Sequence, residues 1–118
     1  MTASIPSAPA SSTPAYAGSS ATITLPGDLT RSTVGDARVV LTAGCERLEA
    51  PGSTLRVLRI DLRRAQMVDS VGLNLLVGTI KRVRAIGGRT ELLVRATNVE
   101  RVLTFTRLHQ IAQVVRDG

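Results

Sequence analysis

The sequence predicts a single α/β domain in which helices alternate with buried strands. Its 118 residues are the length of one ordinary domain, and 43% of them are hydrophobic, as in globular proteins. Short apolar runs of strand length alternate with longer stretches whose apolar residues recur every three or four positions. This alternation is typical of helices packed on a sheet. The predicted order is β-α-β-α-β-α-β.

The first 20 residues differ from the rest in composition. They are rich in Ser, Ala, Thr and Pro and hold too little apolar surface to offset the entropy of ordering. We therefore expect a disordered tail over residues 1–20 and a folded domain over residues 21–118. No basic residue precedes Arg31 and no apolar signal region is present, so a secretory signal is not expected.

The first half of the domain predicts a strand, a helix and a second strand. ATITL at 21–25 alternates before a Pro-Gly break, which indicates a short strand. Apolar residues at helical spacing over 34–48 predict a helix, with Ser32 or Thr33 available to cap its start. LRVLRIDL at 55–62 is short and largely apolar, and it is the strongest strand of the chain.

A second helix is predicted to begin at Ser70. The glycines of IGG at 86–88 supply the residue that commonly ends a helix. Its apolar stripe has the three- and four-residue spacing of a buried helix face and consists of Leu73, Leu76, Val77, Ile80 and Val83.

The remaining elements are a strand, a third helix and a last strand. RTELLVR at 89–95 predicts a strand, and Asn98 can cap the helix that follows it. Phe105, near the end of that helix, is interpreted as a core residue. IAQVV at 111–115 predicts the closing strand.

The charge of the chain raises the question of nucleic-acid binding. The formal net charge is +6, and fourteen of the fifteen basic residues are arginines, most of them spread singly. Tyr16 and Phe105 are the two aromatic residues, so platforms for stacking bases are missing. A basic surface facing an acidic protein partner is the alternative, and we expect no direct DNA binding.

Metal, cofactor and catalytic sites find little support. Cys45 is the one cysteine and His109 the one histidine, which excludes a four-ligand Cys/His site and a disulfide framework. Cys45 lies on an apolar helix face and is interpreted as a small core residue, whereas His109 fits a helix end or solvated turn. No Gly-rich phosphate loop or paired-carboxylate pattern appears. We expect a cytoplasmic binding protein that is not an enzyme and has no cofactor and no membrane span.

The stretch Asp69-Ser70-Val71-Gly72 stands where a buried strand gives way to a helix. Asp and Ser are strong helix N-caps, so a purely structural role explains much of this pattern. Gly72 is harder to explain by capping, because it removes bulk beside Ser70 and lets another backbone approach closely. A helix N-terminus also tolerates negative charge. Ser70 could therefore carry a phosphate as an on/off mark for a partner surface.

The order and spacing of four segments resemble a STAS domain of the bacterial anti-sigma factor antagonist type. The segments are LPGDL, VLRIDLRRAQMVDSVGL, LLVGTIKRVRAIGGRTELLV and NVERVLTFTRLHQI, and together they extend over about residues 22–115. The resemblance implies a single STAS-like domain with a mixed β-sheet of about four strands and three or more α-helices packed on it.

The resemblance also implies a function. Antagonists of this type bind an anti-sigma factor that is also a serine kinase, and so free a sigma factor for transcription. The kinase phosphorylates the serine matched here by Ser70, which breaks the complex, and a serine phosphatase restores it. Other matches to the family pattern are Asp28, Asp61, Asp69, Gly72 and Leu73.

The expected partner surface includes one face of the second helix. Ser70, Asn74, Val77 and Lys81 recur at spacings of three or four, so they can share a face, unless Val77 is simply buried. The full set of expected partner-binding residues is Asp28, Thr30, Asp61, Asp69, Ser70, Gly72, Leu73, Asn74, Val77 and Lys81.

Several positions depart from the family pattern. Val71 replaces a second hydroxyl, Thr30 replaces an acidic residue, and Arg107 stands in place of a glycine. Arg63 and Arg64 occupy positions where a small residue is usual, and the family's first strand has no clear counterpart in the tail. These departures motivate the alternative that the chain is a STAS subunit of a stress-signalling assembly or of a lipid transporter complex.

Overall fold

The computed structural model describes residues 20–117. The predicted element order is confirmed, although the strand at 55–62 is shorter than expected and the last strand begins two residues later. The predictions of a disordered tail over residues 1–20 and of a missing first strand lie outside the described residues, except that Ser20 belongs to β1 and not to a tail. The elements are β1 (Ser20–Thr24), α1 (Val34–Glu49), β2 (Val57–Asp61), α2 (Ser70–Ala85), β3 (Arg89–Val94), α3 (Thr97–Phe105), a 3-10 turn (Leu108–Gln110) and β4 (Gln113–Arg116).

The four described strands form one sheet in the order β1-β2-β3-β4. All three neighbouring pairs are parallel, so the mixed sheet expected from the resemblance is not found within residues 20–117. The register aligns one apolar row across the sheet, because Ile23 faces Ile60, Ile60 faces Leu92, and Leu92 faces Val114. This row lies on the face of the sheet against which the helices pack.

The hydrophobic core lies between the sheet and the helices. Parallel neighbours joined by right-handed crossovers place successive helices on the same face of a sheet, and all three helices contribute to one core cluster. Each fully buried leucine or isoleucine stabilises the fold by about 1.5–3 kcal/mol. Within the described part of the chain, no helix has both the length and the hydrophobicity needed to cross a membrane. The buried helix residues include Leu41, Cys45, Leu48, Leu76, Ile80, Val83, Val99 and Leu103.

Cys45 and the predicted end of α2 match expectation. Cys45 is 2% exposed, which confirms it as a small core residue. After α2, Gly87 takes a left-handed conformation with φ of 81°. The N–H of Gly87 donates to the carbonyl of Arg84 and that of Gly88 to the carbonyl of Val83, both at 3.0 Å. These bonds satisfy carbonyls that the helix end leaves without partners.

The two predicted side-chain caps of α1 and α3 are wrong. Thr33 precedes α1, but its hydroxyl accepts a hydrogen bond from the N–H of Thr30 (2.9 Å) and donates to the carbonyl of Asp28 (2.8 Å). The hydroxyl is therefore used to fold the preceding loop. Ala96 is the residue before α3, so Asn98 lies within the first turn, where it cannot serve as the N-cap.

The prediction that Phe105 belongs to the core is also wrong. Phe105 is the last residue of α3 and is 88% exposed. Val99 and Leu103 form the buried face of this helix. Because successive residues turn by about 100°, Phe105 points roughly 200° away from Leu103, toward solvent.

Arg107 lies in the chain's one strained non-glycine position among residues 20–117. Its backbone has φ of 62° and ψ of 22°, which is the left-handed region. It links α3 to the 3-10 turn that contains the exposed His109. The solvated turn expected for His109 is confirmed, and the arginine found where the family has a glycine has a conformational cost of about 1–2 kcal/mol.

Replacing Arg107 with glycine should stabilise the protein. Arg107→Gly removes the clash of Cβ with the backbone, and we expect the free energy of unfolding to rise by about 1 kcal/mol. Urea denaturation followed by circular dichroism measures the change. Arg107→Ala is the control, since it removes the same charged side chain and keeps Cβ. Equal stabilisation by both variants would assign the effect to charge.

Candidate functional site

The candidate site is formed by two loops that leave neighbouring strands at the same edge of the sheet. Residues 25–33 follow β1 and residues 62–69 follow β2. The N–H of Leu29 donates to the carbonyl of Met67 (3.0 Å), and the N–H of Asp69 donates to the carbonyl of Leu29 (3.2 Å). This parallel bridge at Leu29 and Val68 continues the sheet pairing into the loops and fixes their spacing.

Two aspartates join these loops in both directions. Oδ1 of Asp28 in the first loop accepts from the N–H of Gln66 (2.7 Å) and of Met67 (3.2 Å) in the second. Oδ2 of Asp69 in the second loop accepts from the N–H of Arg31 (2.9 Å) in the first. No pattern in the sequence predicts these bonds, which join residues 38 or 39 positions apart. Asp28 was expected as a partner contact, and Asp69 as a partner contact and helix cap. Both therefore also position the site.

Asp69 also starts the helix that presents Ser70. Its Oδ1 accepts from the N–H of Gly72 at 2.9 Å, which confirms the predicted N-cap. The backbone N–H groups of Gly72 and Arg31 stabilise the ionised carboxylate and hold the pKa of Asp69 below its usual range. A fixed negative charge therefore lies directly before Ser70 at neutral pH.

Gly72 allows the two loops to approach each other. A Cβ at this position would lie 2.3 Å from the carbonyl oxygen of Leu29 and 2.8 Å from Leu29 Cγ. Real Cβ atoms do not come that close to backbone oxygen. The prediction that this glycine admits another backbone is confirmed, and the backbone it admits is the one that pairs with Val68.

Ser70 is the first residue of α2 and is exposed. Its hydroxyl makes no hydrogen bond to the rest of residues 20–117. The first N–H groups of a helix point outward and carry partial positive charge, so this hydroxyl stands where an anionic group is well tolerated. The backbone around Ser70 is held in place, while its hydroxyl is exposed.

The other residues of the expected helix face differ in their exposure. Asn74 and Lys81 are exposed, whereas Leu73 and Val77 are half-buried and pack against the core cluster. Val77 was interpreted either as an exposed residue that can contact a partner or as a buried residue, and its half-buried position lies between the two. Thr30 is also half-buried, and its carbonyl accepts from the N–H groups of Thr33 and Val34 at the start of α1, both at 2.9 Å.

Asp61 belongs to a different surface from Ser70. The side chain of the preceding Ile60 lies in the core cluster, and alternation along a strand directs Asp61 to the opposite face. Its side chain is 8% exposed and accepts from Arg63 through Nε (2.9 Å) and Nη2 (2.8 Å). These bonds hold the pKa of Asp61 below its usual range. The structure does not bring this carboxylate together with the serine.

An apolar cleft beside the second loop was not foreseen from the sequence. It has a volume of about 560 Å³ and lies between residues 66–68 and α3. Met67 is 54% exposed and Phe105 88% exposed along it. An exposed apolar side chain has no sequence signature that separates it from a core residue, because both are simply apolar positions at plausible spacing.

Comparison with known proteins identifies the class to which this fold and site belong. The model of the STAS domain family matches residues 15–117. The chain therefore belongs to the STAS domain family. Comparison with curated proteins found no significant match.

Solved structures of three other proteins share this fold. A protein from Thermotoga maritima described as a candidate anti-sigma factor antagonist has a TM-score of 0.65 and 23% identity, covering 82% of this chain and 80% of its own. The unphosphorylated form of the anti-sigma factor antagonist SpoIIAA has a TM-score of 0.65 and 22% identity, covering 85% and 81%. A sulfate transporter family protein from Wolinella succinogenes has a TM-score of 0.60 and 17% identity, covering 81% and 75%. At these identities the likeness establishes the fold alone.

Adding a methyl group at Gly72 should separate the two loops. Gly72→Ala places Cβ against the carbonyl of Leu29, so we expect a loss of about 2 kcal/mol in the free energy of unfolding. Gly78→Ala is the matched control in the same helix, because nothing lies within 4 Å of its Cβ position. That control should be about 0.5–1 kcal/mol more stable than wild type. Similar effects at both positions in urea denaturation would contradict the close approach.

The ionised form of Asp69 should stabilise the fold at neutral pH. A folded-state pKa below the ordinary value of about 3.9 contributes stability above that pH, and the contribution disappears as the pH falls through the folded-state pKa. Asp69→Asn removes this dependence. We expect its free energy of unfolding to fall less steeply than that of wild type between about pH 5 and pH 2.

The matched control for Asp69→Asn is Glu46→Gln. Glu46 is exposed and makes no hydrogen bond within residues 20–117, so this variant changes the net charge without disturbing the loops. Urea midpoints across the pH range compare the three proteins. If the free energy of unfolding falls less steeply at acid pH to the same extent in both variants, the effect is due to net charge.

Proposed function

We propose that this protein is an anti-sigma factor antagonist whose binding to an anti-sigma factor with serine kinase activity is switched off by phosphorylation of Ser70. The observation that carries the proposal is the exposed Ser70 hydroxyl, free of hydrogen bonds to residues 20–117, at the start of a helix held by two cross-loop carboxylates. In this role the protein regulates sigma-factor-dependent transcription in the cytoplasm by binding another protein, and it performs no catalysis.

Access to a kinase requires an exposed hydroxyl on a surface that the kinase can approach. Ser70 meets this requirement without local unfolding, because its side chain is exposed and no hydrogen bond to the described chain has to break. The absence of a second hydroxyl at Val71 leaves one acceptor in the motif. A serine phosphatase reaches the phosphorylated form by the same route.

The phosphorylated domain is expected to stay folded. A phosphate on the first residue of α2 lies at the positive end of the helix dipole, which stabilises negative charge. The modification therefore acts on the surface and leaves the core intact. It adds about two negative charges next to the ionised Asp69, and repulsion and desolvation then oppose binding of a partner closely fitted to this face.

The proposed partner surface follows from the exposed residues near Ser70. Asn74 and Lys81 continue the face along α2, and the half-buried Leu73 and Val77 supply apolar area between polar neighbours. Asp28, Thr30, Asp69 and Gly72 shape the loops at its edge. Asp61 lies on another face, so within this proposal its part in partner binding is indirect.

The second candidate is a STAS subunit of a stress-signalling assembly or of a transporter complex. The observation that favours it is the pairing of Arg63 with Asp61, which neutralises an acidic position of the family pattern. In this case the partner surface is different and a charge at Ser70 has little effect on assembly.

Capture from lysate of the source organism separates the two candidates. The baits are the wild-type protein and Ser70→Glu, and mass spectrometry identifies what they retain. We expect wild type to hold a kinase-type anti-sigma factor and Ser70→Glu to bind it at least about a hundredfold more weakly by calorimetry, because like charge and desolvation at an interface cost several kcal/mol. Ser70→Ala should bind as wild type does and resist phosphorylation.

Thr54→Glu is the control for an added carboxylate. Thr54 is exposed and precedes β2, whereas Ser70 follows it, so the two positions lie at opposite edges of the sheet. This variant should bind as wild type does. Retention of the same partner by Ser70→Glu would refute the switch, and a transporter or multi-STAS assembly held equally by both baits would support the second candidate.

A further inference from the structure

A polar cleft of about 370 Å³ lies at the carboxyl edge of the sheet, on a different face from the Ser70 helix. Every described strand ends beside it. Thr24 ends β1, Asp61 ends β2, Arg95 follows β3, and Asp117 follows β4. In parallel α/β sheets the carboxyl ends of the strands are where ligands usually bind, since side chains from several strands converge there. The cleft is therefore in the right place for a ligand site.

Arg63 is held rigidly at one side of this cleft. Its Nε and Nη2 donate to the two oxygens of the buried Asp61, at 2.9 and 2.8 Å. This two-point contact fixes the plane of the guanidinium group and balances the buried carboxylate. The remaining nitrogen, Nη1, donates to Oδ2 of Asp117 at 2.7 Å. Arg63 thus presents one oriented donor toward the open side.

Asp117 occupies the position between two arginines. The same Oδ2 that accepts from Arg63 also accepts from Nη2 of Arg95 at 3.2 Å. One oxygen bridging two guanidinium groups is the arrangement that a phosphate oxygen makes in arginine-rich sites. The Asp117 side chain is 48% exposed, and its backbone N–H is separately bonded to the carbonyl of Val94 at 2.8 Å. The carboxylate can turn outward while the strand pairing stays in place.

The charge of the cleft favours a dianion once Asp117 moves away. Arg64 lines the cleft and makes no hydrogen bond or ion pair within residues 20–117. Three arginines set against Asp61 and Asp117 leave one net positive charge, and displacement of Asp117 leaves two. A phosphate monoester carries about −1.5 to −2 at pH 7. The charges of the cleft and of such a ligand then match.

We propose that Arg63, Arg64 and Arg95 form a binding site for a phosphate group, which Asp117 occupies as an internal carboxylate until the phosphate displaces it. The ligand is inorganic phosphate or a phosphate monoester, both of which offer the same oxygens to the three guanidinium groups. The site accounts for the two consecutive arginines that depart from the family pattern. It is independent of the proposed switch at Ser70.

Nuclear magnetic resonance titration of the ¹⁵N-labelled full chain tests the site. The probes are inorganic phosphate and phosphoserine, added at constant ionic strength maintained with chloride. We expect saturable shifts confined to Arg63, Arg64, Arg95 and Asp117. Arg64→Gln and Arg95→Gln should each weaken binding by about fivefold or more, since each removes one charge-assisted contact. Arg84→Gln, an exposed arginine in the last turn of α2, should leave binding unchanged.

Asp117→Asn tests the displacement directly. The substitution keeps the shape of the side chain and removes its charge, so the phosphate no longer competes with an anion and should bind about fivefold more tightly. This variant leaves the Arg63–Asp61 pair intact and should remain folded. The two probes are then compared with each other. If inorganic phosphate binds more tightly than phosphoserine, the ligand is the free ion, and if phosphoserine binds more tightly, the ligand is a monoester. Shifts that do not saturate, that spread over all arginines, or that are insensitive to Asp117→Asn would overturn the proposal.

Discussion

The exchange of hydrogen bonds between Asp28 and Asp69 is the constraint on which the candidate site depends. Each aspartate lies in one loop and binds backbone N–H groups of the other, so the two loops hold each other in place. The pairing at Leu29 and Val68 sets their distance, and Gly72 leaves the room that the Leu29 carbonyl needs. Without this exchange the backbone bridge at Leu29 and Val68 would be left to hold the two loops together.

The consequence for Ser70 is a fixed backbone and a hydroxyl that has no hydrogen bond to residues 20–117. Asp69 uses its two oxygens to cap α2 and to bind Arg31, which leaves Ser70 exposed at the positive end of the helix. A residue modified by an enzyme needs access, and a partner surface needs order. Both requirements are met here because the structural hydrogen bonds belong to the neighbouring aspartate.

The alternation of side chains along β2 directs neighbouring residues to two different surfaces of the domain. Ile60 enters the core and Asp61 faces the other way, so the acidic residue that ends β2 joins Arg63 and the basic cleft, apart from the Ser70 helix. The proposed partner surface and the proposed phosphate site therefore lie on different faces of a small domain. A ligand in the cleft need not compete with a partner bound at Ser70.

Local sequence patterns are enough to predict the element order, the capping role of Asp69, the glycine end of α2 and the close approach at Gly72. Each of these features depends on a local pattern or on the conformational freedom of one residue, and both can be recognised in the amino-acid sequence. Only the three-dimensional packing settles the contacts of Asp28, the bridging of Arg63 and Arg95 by Asp117, and the exposure of Phe105. Cross-loop bonds join residues far apart in the chain, and the outward direction of Phe105 depends on which face of α3 meets the sheet. These facts follow from packing in three dimensions, which no short window of sequence contains.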